Sequence, residues 1–118
     1  MKIKTSDLIG PPLAWAAGRA EGHFKPDVFG GFDGIGNYHE PYRPDVDWAQ
    51  GGPIIDREKI AIHGSPTWTA RYSLTTPAHH GGFRGHFQST GPTALVAAMR
   101  CFVRARLGDE VDIPEELL

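Results

Sequence analysis

The stretch Asp47-Trp48-Ala49-Gln50-Gly51-Gly52-Pro53-Ile54-Ile55-Asp56-Arg57-Glu58 holds residue types suited to an anionic, ring-bearing ligand. Paired glycines let a backbone come close to a bound group, and proline suits the first position of a helix. A helix of one or two turns is therefore expected over residues 53–58. The N–H groups near Gly51 and Gly52 would then attract phosphate, while Trp48 or Tyr42 would offer a flat face to a base. Asp47 stands next to the tryptophan, and Arg57 can add a charge-assisted hydrogen bond. A second start, Thr90-Gly91-Pro92-Thr93, repeats the pattern, with Arg100 placed to reach an anion held there. The expected ligand-binding set is Tyr42, Asp47, Trp48, Gly51, Gly52, Arg57, Thr93 and Arg100. The competing reading is a tight turn whose tryptophan belongs to the core. On that reading the arginines answer the dipole of the last helix, worth about 0.3–1 kcal/mol each.

Catalytic chemistry has weaker support. His63, His79, His80 and His86 could suggest a metal, but zinc motifs combine Cys and His at short fixed intervals that are missing here, so no metal or cofactor is expected. Cys101 falls inside a helical apolar pattern, where a buried inert thiol is expected rather than a nucleophile. Ser65 sits in Gly-Ser-Pro, which is not a nucleophile elbow. Asp45 and Asp47 lie two apart, with nothing to raise the pKa of either. Gly34-Ile35-Gly36 lacks the third glycine and the strand-to-helix setting of a dinucleotide fingerprint. Binding without turnover is the expectation.

The elements that would position these residues follow from punctuation and periodicity. With 118 residues, the chain reads as one domain burying about 65% of its unfolded surface. Gly 15 and Pro 10 imply short elements and long connections. Leu13, Ala16, Ala17 and Ala20 keep helical spacing, so residues 11–21 are expected to form a helix stopped by Gly22. Residues 22–52 read as a long Gly/Pro-rich connection whose aromatics attach it to the core, with at most a short strand. Residues 59–63 and 67–74 read as a hairpin around Gly64-Ser65-Pro66, with Trp68 in the core and Trp15 in an ordinary contact with Arg19. Residues 76–85 read as a loop, with a return strand near Phe87.

Residues 92–107 form the clearest helix. Leu95, Val96, Met99, Phe102, Val103 and Leu107 make one apolar stripe, and Ala94, Ala98, Cys101 and Ala105 make a second stripe of small residues. The small stripe is expected to meet the first helix or a second subunit, and Gly108 suits a C-terminal cap. The acidic segment 109–118 is expected on the surface. The fold class is therefore α+β: two principal helices packed on a small antiparallel sheet, with a homo-oligomer as the expected assembly.

The charge balance limits partners. Twelve Lys+Arg against fourteen Asp+Glu give a net charge of −2, which disfavours a duplex binder. An α-β-β-(β)-α order invites comparison with double-stranded RNA-binding domains, but those place lysines where this chain has Gly-Pro-Thr-Ala-Leu. One cysteine permits no internal disulfide. The start of the chain forms no signal-peptide core, and no apolar run approaches membrane-spanning length. A soluble cytoplasmic protein is expected.

Four blocks carry a family resemblance: Met1-Lys2-Ile3-Lys4-Thr5-Ser6-Asp7-Leu8; Asp47-Trp48-Ala49-Gln50-Gly51-Gly52-Pro53-Ile54-Ile55; Gly91-Pro92-Thr93-Ala94-Leu95-Val96-Ala97-Ala98-Met99-Arg100-Cys101; and Leu107-Gly108-Asp109-Glu110-Val111-Asp112-Ile113-Pro114-Glu115-Glu116-Leu117. Together they resemble the NinX family of small bacteriophage and prophage proteins of unassigned function, as a single domain over residues 1–118. The chain departs from the family pattern around residues 23–46, where members often approach the tryptophan through a Tyr-Ser-Thr-Asp-Trp-like run. The resemblance implies a phage accessory protein in the host cytoplasm. By context, the expected function is sequestration of a phosphate-containing, nucleotide-derived immune signal. The alternatives are a protein-interaction module that inhibits a host or phage enzyme, and a nucleotide-signal hydrolase using the His-rich loop.

Overall fold

The computed structural model describes residues 1–32, 34–76 and 83–118. Its central element is a helix, α3 (Ala94–Leu107), with every residue from Ala94 to Met99 buried, and Cys101, Phe102 and Val103 buried beyond them. Thr93 caps it, its hydroxyl accepting from the Val96 N–H at 3.1 Å. A helix apolar around most of its circumference must be covered on several sides. The antiparallel sheet β4 (Ala61–His63), β5 (Trp68–Thr76) and β6 (Phe83–Gly91) covers one side. Helices α1 (Pro11–Ala20) and α2 (Trp48–Glu58) also pack on α3. The fold is α+β, with three helices where two principal ones were expected.

The stripe of small residues does not meet a helix at Cys101. That thiol lies over the sheet, its sulfur 3.6 Å from the Ala70 carbonyl and 3.4 Å from that of Phe87. Small side chains are what let the sheet backbone approach so closely. The strand after α2 starts later than expected. Lys59 adopts a left-handed conformation (φ 56°) that closes α2, so β4 begins only at Ala61. The order α2–β4–β5–β6–α3 matches the α-β-β-(β)-α reading, with the third strand formed in full.

Both chain ends are tied into the fold. The strand β1 (Lys2–Lys4) pairs antiparallel with β7 (Glu110–Asp112), placing Lys2 opposite Asp112 and Lys4 opposite Glu110. Val111 and Ile113 are buried, so segment 109–118 is anchored rather than lying on the surface. Its alternating Val111-Asp112-Ile113 pattern explains the anchoring, since the apolar residues point inward.

The connection 23–46 is also held differently from expectation. Pro26, Val28, Pro44 and Asp45 are its buried residues, and Pro26 crosses α1 where Gly18 leaves room: a Cβ there would lie 2.4 Å from the Pro26 ring. Of its aromatics, Phe24, Phe29, Phe32 and Tyr38 are exposed and Tyr42 is half-buried. A two-stranded ribbon, β2 (Gly31–Phe32) and β3 (Tyr38–His39), carries two of them. Trp68 is likewise partly exposed instead of buried, its ring packing against the backbone of Gly64. Trp15 makes the expected contact, with the Arg19 guanidinium 5.8 Å from its ring centroid.

A charged cluster ties the ends of the elements together. The Glu58 carboxylate accepts from the Tyr72 hydroxyl at 2.5 Å, from Arg57 Nε at 2.9 Å and from Arg106. Arg57 also reaches Glu21 at 3.0 Å, just beyond the end of α1. Burial pushes the Glu58 carboxyl upward, but the hydrogen bonds from Tyr72, Arg57 and Arg106 outweigh it and bring the pKa down to about 2.

Two predictions follow from this packing. A Cβ at Gly51 would sit 2.4 Å from the Pro44 carbonyl oxygen and 2.6 Å from Leu95 Cδ2, whereas at Gly52 it meets nothing closer than 3.9 Å. Gly51→Ala should therefore destabilise by about 1–3 kcal/mol through overpacking. Gly52→Ala should stabilise by up to about 1 kcal/mol through helix propensity. Opposite shifts in thermal midpoint check the pair. Glu58 has a folded pKa below its unfolded one, so its contribution is complete above about pH 4.5 and fades as pH falls toward 2. Glu58→Gln should lose on the order of 2 kcal/mol at pH 7 and little at pH 2.5, measured by urea unfolding at both pH values.

Candidate functional site

The helix containing Gly51 and Gly52 begins earlier than Pro53. It starts at Trp48, and Asp47 is its cap, with the carboxylate accepting the Ala49 N–H at 2.9 Å. Pro53 lies inside the helix. The Gly51 N–H is already bonded to the Asp47 carbonyl at 2.8 Å, so it offers no donor to an anion. Gly51 is needed instead for the close passage of Pro44 and Leu95. The free end of this helix faces its own carboxylate. Trp48 is 56% exposed on its first turn, outside the core.

The second expected start is similarly engaged. Thr93 spends its hydroxyl on capping α3. Arg100 is half-buried, with Nε donating to the Leu8 carbonyl at 2.8 Å and Nη1 to the Thr90 carbonyl at 3.0 Å. It clamps the N-terminal segment to the end of β6, and burial lowers its pKa. The start of α3 carries no lysine, and Ala94 and Leu95 are buried, so it lacks the phosphate-facing surface of a double-stranded RNA-binding helix.

Tyr42 and Arg57 do come together, in a hollow of about 440 Å³ with Glu21, His23, Gln50 and Pro53. The Tyr42 hydroxyl is buried without a hydrogen-bond partner among the described residues. Burial, reinforced by the Glu21 charge, raises its pKa far above the usual tyrosine value. Asp47 contributes indirectly, through its 3.1 Å bond to the Gln50 amide. Glu21 and Glu40 also line the hollow, and Arg57 is already paired with Glu21 and Glu58. Two carboxylates and a neutralised arginine make a poor phosphate seat.

The other arginines narrow the choice. Arg43 grips the buried Asp45 with two bonds of 2.9 and 3.0 Å, which removes Asp45 and the capping Asp47 as an acid–base pair. Arg19 closes α1 through the carbonyls of His23 and Phe24, and Arg104 pairs with Asp109 at 2.7 Å. Among the arginines whose side chains are described, Arg71 alone makes no ion pair or hydrogen bond within the described residues.

Arg71 stands in the middle of the outer sheet face. The strand register places Ala61 and Gln88 on either side of it, and His63, Thr69 and Thr90 form the next row. Its inward neighbours Ala70 and Tyr72 are buried, so alternation along β5 sends Arg71 outward. A hollow of about 450 Å³ is lined there by Ala61, Ile62, His63, Ser65, Thr69, Arg71 and Gln88. Among the described residues no carboxylate lines it. An unpaired guanidinium amid hydroxyls, an amide and an imidazole suits a phosphate or carboxylate ligand. One row further, the Ser73 hydroxyl and His86 Nδ1 are 2.9 Å apart. No carboxylate hydrogen-bonded to His86 completes a triad among the described residues.

The sequence signal for this face was the polar alternation His63, Thr69, Arg71, Ser73, which is visible only once the hairpin register is known. His79 and His80 lie outside the described residues. Among the described residues no three metal-ligating side chains converge. Cys101 is buried with its pKa pushed up to about 11 by desolvation, as an inert thiol should be. No helix is long and apolar enough to cross a membrane among the described residues.

A family model described as Bacteriophage P22, NinX matches residues 4–106. That span takes in the α2 segment, the sheet and almost all of α3. No curated protein matches the chain. The chain belongs to the NinX family of phage proteins.

Proposed function

We propose that this phage protein acts in the host cytoplasm by binding and sequestering a phosphate-containing, nucleotide-derived signal without turnover, and that the ligand sits on the outer face of the three-stranded sheet. One observation carries the reading: Arg71 is without a partner among the described residues, at the centre of a hollow lined by donors and no acid. The hollow, at about 450 Å³, falls in the usual range for small-molecule sites of roughly 300–1,000 Å³. Arg71 would hold phosphate oxygens in its planar fork, with Thr69, Ser65 and Gln88 adding hydrogen bonds and His63 lying along one edge. These side chains project from paired strands, so little ordering is required on binding, and affinity can arise without any catalytic group.

A second reading has its own support. Val46 and Trp48 are both exposed at the start of α2, an apolar pair beside a rigid helix. Such a pair fits the anchor of a protein-interaction module that inhibits an enzyme. The hydrolase reading would rest on the Ser73–His86 pair.

The readings separate in one experiment. The protein is incubated with cyclic dinucleotides and ADP-ribose-type nucleotides, then denatured, and the released ligand is analysed. Intact ligand is expected; altered ligand that becomes intact in Ser73→Ala would favour hydrolysis. Absence of any bound nucleotide would leave the interaction module. In calorimetry, Arg71→Ala should weaken binding about 10–100-fold, the loss of a charge-assisted hydrogen bond worth roughly 1.5–3 kcal/mol. Tyr42→Phe, in the other hollow, should bind as the parent does.

A further inference from the structure

The β2–β3 ribbon and its approach leave five large apolar side chains in water. Phe24 is 88% exposed, Phe32 75% and Ile35 86%, with Phe29 and Tyr38 also well exposed. An aromatic side chain presents about 150–250 Å². At these exposures, the five residues together offer roughly 700 Å². The largest apolar patch of a typical monomer is about 300–600 Å². A standard interface needs about 800 Å² from each partner.

The ribbon is also poorly supported as a sheet. It pairs Gly31 with His39 and Phe32 with Tyr38, and no third strand joins it among the described residues. Two strands of two residues are marginal alone. The Phe32 and Tyr38 rings pack together with centroids 5.4 Å apart, which gives the exposed surface a defined shape. The backbone at its base is fixed as well. Gly30 has φ 64°, and a Cβ there would lie 2.5 Å from the His39 carbonyl oxygen and 2.6 Å from the Pro41 nitrogen.

We propose that the β2–β3 ribbon is the surface through which this protein associates with a second copy of itself. Charge selects that occupant. The flanking residues Lys25, Asp27 and Glu40 supply both signs, which a two-fold axis can set against each other. A nucleic acid or an anionic membrane would call for a cluster of basic residues around the aromatics, whereas from residue 19 to residue 42 Arg19 and Lys25 are outnumbered by Glu21, Asp27, Asp33 and Glu40. Association of two ribbons would cover the aromatics of both. The inference is independent of the ligand assigned to the Arg71 face, since the ribbon and that hollow share no residue.

Sedimentation velocity of the full chain across about 1–100 µM tests it. The expected result is a concentration-dependent dimer that becomes a monomer in Phe32→Asp/Ile35→Asp. These side chains are exposed, so the helical circular dichroism of the variant should match that of the parent. Trp48→Asp, an exposed apolar site outside the ribbon, should still form the dimer. A parent that is monomeric throughout the range would overturn the proposal. So would a dimer that survives the Phe32/Ile35 change, or one dissolved equally by Trp48→Asp.

Discussion

The burial of α3 on several sides is the constraint from which the other features follow. Its run from Ala94 to Met99 leaves no polar position, so sheet, α1 and α2 must all approach it. The approach of the sheet depends on small residues, as the Cys101 sulfur within 3.6 Å of two strand carbonyls shows. With one sheet face committed to α3, most polar side chains described on β4, β5 and β6 lie on the other, Tyr72 and Ser89 being exceptions. That is why His63, Thr69, Arg71 and Gln88 lie together. The same packing requires Gly51 for the contact between α2 and Leu95.

Electrostatics completes the frame. Glu58 collects hydrogen bonds from Tyr72, Arg57 and Arg106, joining the ends of α2 and α3 to the middle strand. Arg43 is committed to Asp45, and Arg100 to two carbonyls. In each case the positive charge or its donors serve the fold. Arg71 is the exception among the arginines whose side chains are described, and the proposed ligand site is built on it. A long cationic side chain at the centre of a sheet face, with no carboxylate in its hollow, contributes little to stability.

Much of the fold was legible because its signals were local and periodic. The helix 11–21 matched α1 to within a residue at its end, and Gly108 closes α3 where expected, while α3 begins at Ala94, two residues after the expected start. The hairpin around Gly64 was also readable from residue type. The Gly-Gly-Pro segment misled because proline favours a first turn, while Asp47 supplied a stronger cap five residues earlier and tertiary contacts carried the helix through Pro53. The exposed aromatics misled for another reason: apolarity predicts burial in something, but not whether that something lies within the same chain. The candidate site was the least legible part. Nothing in the local sequence distinguishes Arg71 from the arginines that find partners, because those partners come from distant segments such as Glu21 and Leu8.

Membership of the NinX family places the protein among phage proteins of unassigned function, and the proposed ligand lies on the outer face of the sheet. Side-chain NMR of the full chain, titrated with the nucleotide panel, tests that placement most directly. The account predicts that the Arg71 Nε–H, the Gln88 amide and the His63 ring shift together and saturably, while the Gly51 and Gly52 amides and the Tyr42 ring stay in place. Saturable shifts centred on Tyr42 and Arg57, or on the start of α2, with Arg71 unmoved would contradict it.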